Sequence, residues 1–73
     1  MLKLCVLSGR EVCAILARYG FIQVRQKDSH IVMQKRDYNG TITVPVPDHA
    51  ELRIGTLQSI IRQSGVAKNE FEA

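Results

Sequence analysis

The sequence predicts a small α+β fold of order helix, strand, strand, strand, helix, in which two helices lie on one face of a three-stranded antiparallel sheet. Three observations predict it: apolar residues at helical spacing near each end, alternating segments between them, and an Asn-Gly pair inside the alternating region. A chain of 73 residues supports one modest core, so residues 1–73 are read as a single domain.

Ser8-Gly9-Arg10-Glu11 has the form of a capping box, with Ser8 accepting from the Glu11 amide while the Glu11 carboxylate reaches back. Val12, Ile15, Leu16 and Tyr19 then make one apolar stripe, and Gly20 supplies a left-handed stop. The first helix is expected over about Gly9 to Tyr19.

From Phe21 the period becomes two. Phe21, Gln23 and Arg25 alternate with Ile22 and Val24, as in a strand with one buried face, and Lys27-Asp28 reads as a tight turn. Ser29 to Lys35 forms the next strand, with Ile31 and Met33 on one face and His30, Val32 and Gln34 on the other. Asn39-Gly40 marks a hairpin into a third strand, Thr41 to Val46. Pro45 and Pro47 lack amide donors and make that strand an edge.

Ile54, Leu57, Ile60 and Ile61 return to helical spacing and Gly65 ends it, giving a second helix over roughly Arg53 to Ser64. Asp48-x-x-Glu51 also resembles a capping box, but Gly55 argues for a later start, so an irregular turn is expected from Asp48 to Leu52. The tail from Val66 can add one turn that packs Phe71 on the core and leaves Glu72 and Ala73 loose. Two helices on one side leave the opposite sheet face free to bind.

Ten Lys and Arg against seven Asp and Glu give a formal charge of +3, which favours an anionic partner, nucleic acid first. Cys5 and Cys13 are too few and too close for a disulfide scaffold and are read as reduced thiols of a cytoplasmic protein. No Cys-x-x-Cys occurs and the two histidines stand far apart in sequence, so neither a metal nor any other cofactor is expected. No apolar run suits a signal peptide or a membrane span.

Metal-free cleavage of RNA needs a group that takes a proton from a 2′-hydroxyl, a group that protonates the leaving oxygen, and cations facing the phosphate. Histidine suits either proton transfer near neutral pH. His30 follows Arg25, Lys27 and Ser29 and precedes Lys35 and Arg36, so a hairpin gathers one titratable ring within a cationic stretch. The plainer reading is a half-exposed strand residue among solvated charges. His49 is by default a loop residue and a second proton-transfer group only if its loop folds back over the sheet, and Tyr38 is a turn aromatic on which a base can stack. Arg53, with the free amides at Gly55 and Thr56, is either a phosphate site at a helix start or a solvated terminus.

Leu7-Ser8-Gly9-Arg10-Glu11-Val12, Tyr19-Gly20-Phe21, Asp28-Ser29-His30, Val44-Pro45-Val46-Pro47 with His49, and Gly55 to Gly65 together resemble the HicA toxins, also called the YcfA-like family. The resemblance covers nearly the whole chain and rests on the order and spacing of these blocks. It implies a fold similar to the double-stranded RNA-binding domain and a metal-independent endoribonuclease that cleaves mRNA. His30 takes the position of the family's catalytic histidine. A HicB-type antitoxin is implied as partner. Asp28 departs from the glycine usual there and sets a carboxylate near the RNA, where it either repels phosphate or orients the imidazole.

Three functions therefore compete. The first is a ribonuclease with His30 in proton transfer and Arg25, Lys27, Ser29, Lys35 and Arg53 binding RNA. The second is a non-catalytic module of the same fold that grips double-stranded RNA by shape and backbone contacts. The third is an interaction protein whose charge is incidental and whose RNA affinity is insensitive to salt.

Overall fold

The computed structural model describes residues 6–72, so the expectations for Cys5 and Ala73 fall outside the described residues. The elements are α1 (Gly9–Ala17), β1 (Ile22–Lys27), β2 (His30–Asp37), β3 (Gly40–Pro47), α2 (Ile54–Ser64) and a 3-10 turn (Lys68–Phe71). The order is the predicted one, and the sheet is antiparallel with strand order β1-β2-β3.

α1 starts as its capping box dictates. The Ser8 hydroxyl accepts from the Glu11 amide at 3.0 Å and the Glu11 carboxylate accepts from the Ser8 amide at 2.8 Å. The helix ends at Ala17, two residues before the predicted Tyr19. Gly20, at φ +94°, turns the chain back, its amide donating to Ala17 and the Phe21 amide to Leu16. This paired closure satisfies the last carbonyls and aims Phe21 into the core. Tyr19 is left outside the core, 37% exposed.

The helices cover one face of the sheet. Val12 and Leu16 of α1 and Leu57 and Ile60 of α2 meet Ile31 and Met33 of β2 and Val44 and Val46 of β3, with Phe21, Leu52 and Phe71 closing the edges. Each such side chain, fully buried, contributes roughly 1.5–3 kcal/mol. The tail does add a turn that seats Phe71. Glu72 is half-buried and donates its amide to Asn69, so it is not loose.

Two local expectations change, in the turns, and the one for Asp48 holds. The hairpin turn between β2 and β3 is Tyr38-Asn39, with Asp37 paired to Gly40, because the Asp37 carboxylate accepts from the Asn39 amide at 2.8 Å and holds the turn one residue early. The β1–β2 turn is Asp28-Ser29, one residue later than predicted. Asp48 caps no helix: α2 begins at Ile54 after Arg53, and the chain from Asp48 to Leu52 is the irregular turn expected there.

The prolines of β3 fit the ladder. Asp48 donates its amide to Ser29 at 2.6 Å, which makes positions 29 and 48 a hydrogen-bonded pair. Alternation then makes His30–Pro47 and Val32–Pro45 non-hydrogen-bonded pairs, so both missing donors fall on the outer edge of β3.

Candidate functional site

The open face of the sheet carries the polar set. On β2 it presents His30, Val32, Gln34 and Arg36, the alternates of buried Ile31 and Met33; on β3 it presents Thr41, Thr43, Pro45 and Pro47.

What β1 contributes is decided by a bulge. Strict alternation from buried Phe21 would turn Gln23, Arg25 and Lys27 toward the helices. The register shifts between Gln23 and Arg25, with Val24 as the extra residue, so Arg25 pairs with Val32 and Lys27 with His30. Both cations thereby join the face of His30. The expected buried face of β1 does not exist: all six residues are exposed, since β1 is an edge strand and only Phe21, just before it, enters the core. A hollow of about 310 Å³ lies on the same face, lined by Gly20, Ile22, Val24, Gln34 and Arg36.

His30 stands at the first position of β2, exposed, between Lys27 on one side and Pro47 on the other. Non-hydrogen-bonded pairs bring their Cα atoms to about 4.5 Å, so the proline ring walls one side of the imidazole. The preceding turn takes a left-handed residue, Asp28 at φ +55°. Aspartate tolerates this conformation better than most side chains, and glycine adopts it freely. Ser29 is exposed in the same turn, its carbonyl taken by Asp48.

Asp48 ties this end of the sheet to α1. Its carboxylate accepts from Arg10 Nε at 3.2 Å and Nη2 at 3.5 Å, and from Gln26 Nε2 at 3.2 Å. Hydrogen bonding to Asp48 and the attraction of its charge raise the Arg10 pKa. Gly9 donates to the His49 carbonyl at 2.9 Å, and a Cβ there would overlap the Pro47 carbonyl. The sequence offered Asp48 only as a helix cap; no local pattern signals a partner 38 residues away.

Two of the six expected residues lie elsewhere. Lys35 alternates onto the helix-facing side, opposite Ile42, with its ammonium 5.9 Å from the Phe21 ring centroid and its stem along Gly20. The structure does not bring it to His30, because five residues along a strand reverse the face. Arg53 is exposed at the start of α2 without a side-chain cap, outside the sheet face. Arg36, next to Lys35, is the cation that β2 does present on the open side.

Among the described residues no group of three or more His, Cys, Asp or Glu side chains is placed to hold a metal ion, and no helix is long and apolar enough to cross a membrane. No curated protein matches the chain. Residues 9–66 match the family model described as the HicA toxin of bacterial toxin-antitoxin.

Proposed function

The chain belongs to the HicA toxin family of bacterial toxin–antitoxin pairs, and on that premise we propose that it is an endoribonuclease that cleaves mRNA without a metal ion, with His30 in proton transfer. The observation that carries this reading is the pairing of His30 with Lys27, with Arg25 next on the same open face. A phosphate drawn to Lys27 and Arg25 arrives beside an exposed imidazole, a side chain suited to either proton transfer. Ser29 borders the site, whereas Arg53 contributes from the start of α2 to RNA held beyond it. The natural inhibitor is a separate HicB-type antitoxin that covers His30, and the protein acts in the cytoplasm, where mRNA is.

The test pairs cleavage with affinity. His30→Ala is expected to slow single-turnover cleavage of RNA by roughly a hundredfold or more, the usual contribution of an acid or base group, while RNA binding changes little. Wild-type cleavage is expected to persist in EDTA. Equal loss of cleavage and affinity in His30→Ala makes the residue a phosphate contact and favours the non-catalytic RNA-binding module. Activity restored only by added magnesium or manganese refutes the metal-free route.

A further inference from the structure

We propose that His49 is a second catalytic residue, the general acid that protonates the leaving 5′ oxygen while His30 acts as base; this rests on the ribonuclease reading above.

The two histidines, all the chain has, are 19 positions apart in sequence yet belong to the same end of the sheet, His30 opening β2 and His49 following the end of β3 by two residues. The ladder does not stop at Pro47. Asp48 continues it by donating to Ser29 at 2.6 Å, so the backbone is still in register with β2 one residue past the strand. The Asp48 carboxylate lies on the helix side, since it bonds Arg10 of α1 and Gln26, whose β2 partner is buried Ile31. Pro47 faces the open side with His30, and the same alternation carried two residues past the strand would bring His49 to that side as well. His49 is exposed, and its carbonyl is held by the Gly9 amide at 2.9 Å. It is therefore fixed from both sides rather than carried on a loose loop.

Residues diagonal across a ladder, the relation of 30 to 49 when the register of His30 with Pro47 is continued, sit about 7–8 Å apart. Two imidazoles at that spacing can each come within hydrogen-bond reach of one phosphodiester, with Lys27 on the far side of His30 to hold its non-bridging oxygens. The step then balances. His30 takes the 2′-hydroxyl proton as the 2′ oxygen bonds phosphorus, the bond from phosphorus to the 5′ oxygen breaks, and His49 gives that oxygen its proton. The products are a 2′,3′-cyclic phosphate and a free 5′-hydroxyl, and the net charge of the histidine pair is unchanged.

A leaving group that needs no proton isolates the role of His49. The substrates are an RNA oligonucleotide cut by the wild type and the same oligonucleotide with sulfur replacing the bridging 5′ oxygen at the cut linkage. His49→Ala and His49→Gln are expected to lose roughly a hundredfold or more on the oxygen substrate and less than about tenfold on the sulfur substrate. His30→Ala is expected to stay slow on both. Wild-type rates of His49→Ala on the oxygen substrate overturn the proposal, as does equal loss on both substrates in both His49 variants, which is what a misplaced loop produces. A fast His30→Ala instead overturns the ribonuclease reading of His30 and leaves the His49 contrast to be judged alone.

Discussion

Asp48 donates its amide to the carbonyl of Ser29 at 2.6 Å, so the chain leaving β3 stays locked to the turn that delivers His30. Asp48→Ala keeps this amide and loses the carboxylate; Asp48→Pro loses both. The difference in urea-unfolding free energy between the two variants is expected to be about 0.5–1.5 kcal/mol, the net value of one hydrogen bond, with the proline variant the less stable. Equal stabilities would show that the bond contributes nothing to this end of the sheet.

The bulge at Val24 sets which face Arg25 and Lys27 occupy. Deleting Val24 removes the extra residue but leaves Gln23 opposite Met33, Arg25 opposite Val32 and Lys27 opposite His30, so both cations stay on the open face in plain alternation. RNA affinity and its salt dependence should therefore stay close to the wild type, whereas loss of the two phosphate contacts would flatten the slope of log affinity against log salt by roughly 0.7–0.9 each. A titration series in which the slope flattens by two contacts would show that the register of this strand does not survive the deletion and that the bulge itself is needed to present both cations.

Lys27 and Lys35 are separated by the same logic. Lys27→Ala should weaken binding to all RNA sequences and flatten the salt dependence. Lys35 lies over Phe21, so Lys35→Ala should leave RNA affinity intact and cost on the order of 0.5–1 kcal/mol in stability from the lost cation–ring contact. Binding isotherms and denaturant melts on both variants decide it, and the assignment fails if Lys35→Ala flattens the salt slope as Lys27→Ala does.

The left-handed turn residue gives a third contrast. At φ +55°, Asp28→Gly should be tolerated to within about 1 kcal/mol, whereas Asp28→Val should cost about 1–3 kcal/mol through backbone strain. Removing the carboxylate also removes repulsion of phosphate, so the glycine variant should bind RNA more tightly. Tighter binding with unchanged cleavage argues against orientation of the imidazole by Asp28; slower cleavage argues for it.

Cys13 is half-buried in α1, and burial, then the nearby Asp48 charge, push its thiol above its ordinary value of 9.0. The folded state thus holds its proton more tightly than the unfolded chain. The resulting stability is complete below about pH 9 and is lost as pH rises through the raised folded value. In a Cys5→Ser background, the decline of stability above pH 9 should be steeper with Cys13 than with Cys13→Ala, as read by unfolding at stepped pH. Parallel declines would mean that the thiol titrates alike in both states.

Most of the fold was legible because its signals are local. A capping box, an Asn-Gly pair and glycines past two helices each act within a few residues, and the helix spacings of Val12–Leu16 and Leu57–Ile60 report burial directly. His30 and Lys27 were legible as neighbours across a short turn. The bulge was not, since Val24 looks like any strand residue and only the pairing with β2 reveals it as the extra one. Lys35 was misplaced because closeness in sequence says nothing about face. The tie of Asp48 to α1 and the fold-back of the His49 loop, on which a role for that histidine depends, were not legible because their partners, Arg10, Gln26, Ser29 and Gly9, lie 19 to 40 positions earlier in the chain.

The placement of Pro45 and Pro47 also limits how copies of this chain can add to one another. Of the outward-facing amide positions on β3, namely Thr41, Thr43, Pro45 and Pro47, the last two offer no donor. A foreign strand therefore finds only half a template there, while β1 keeps its outer edge exposed. Two copies joined through β1 would make a six-stranded sheet bounded at both ends by proline-bearing strands. Growth by strand addition stops at that pair, so the sequence carries its own chain terminator against fibril formation.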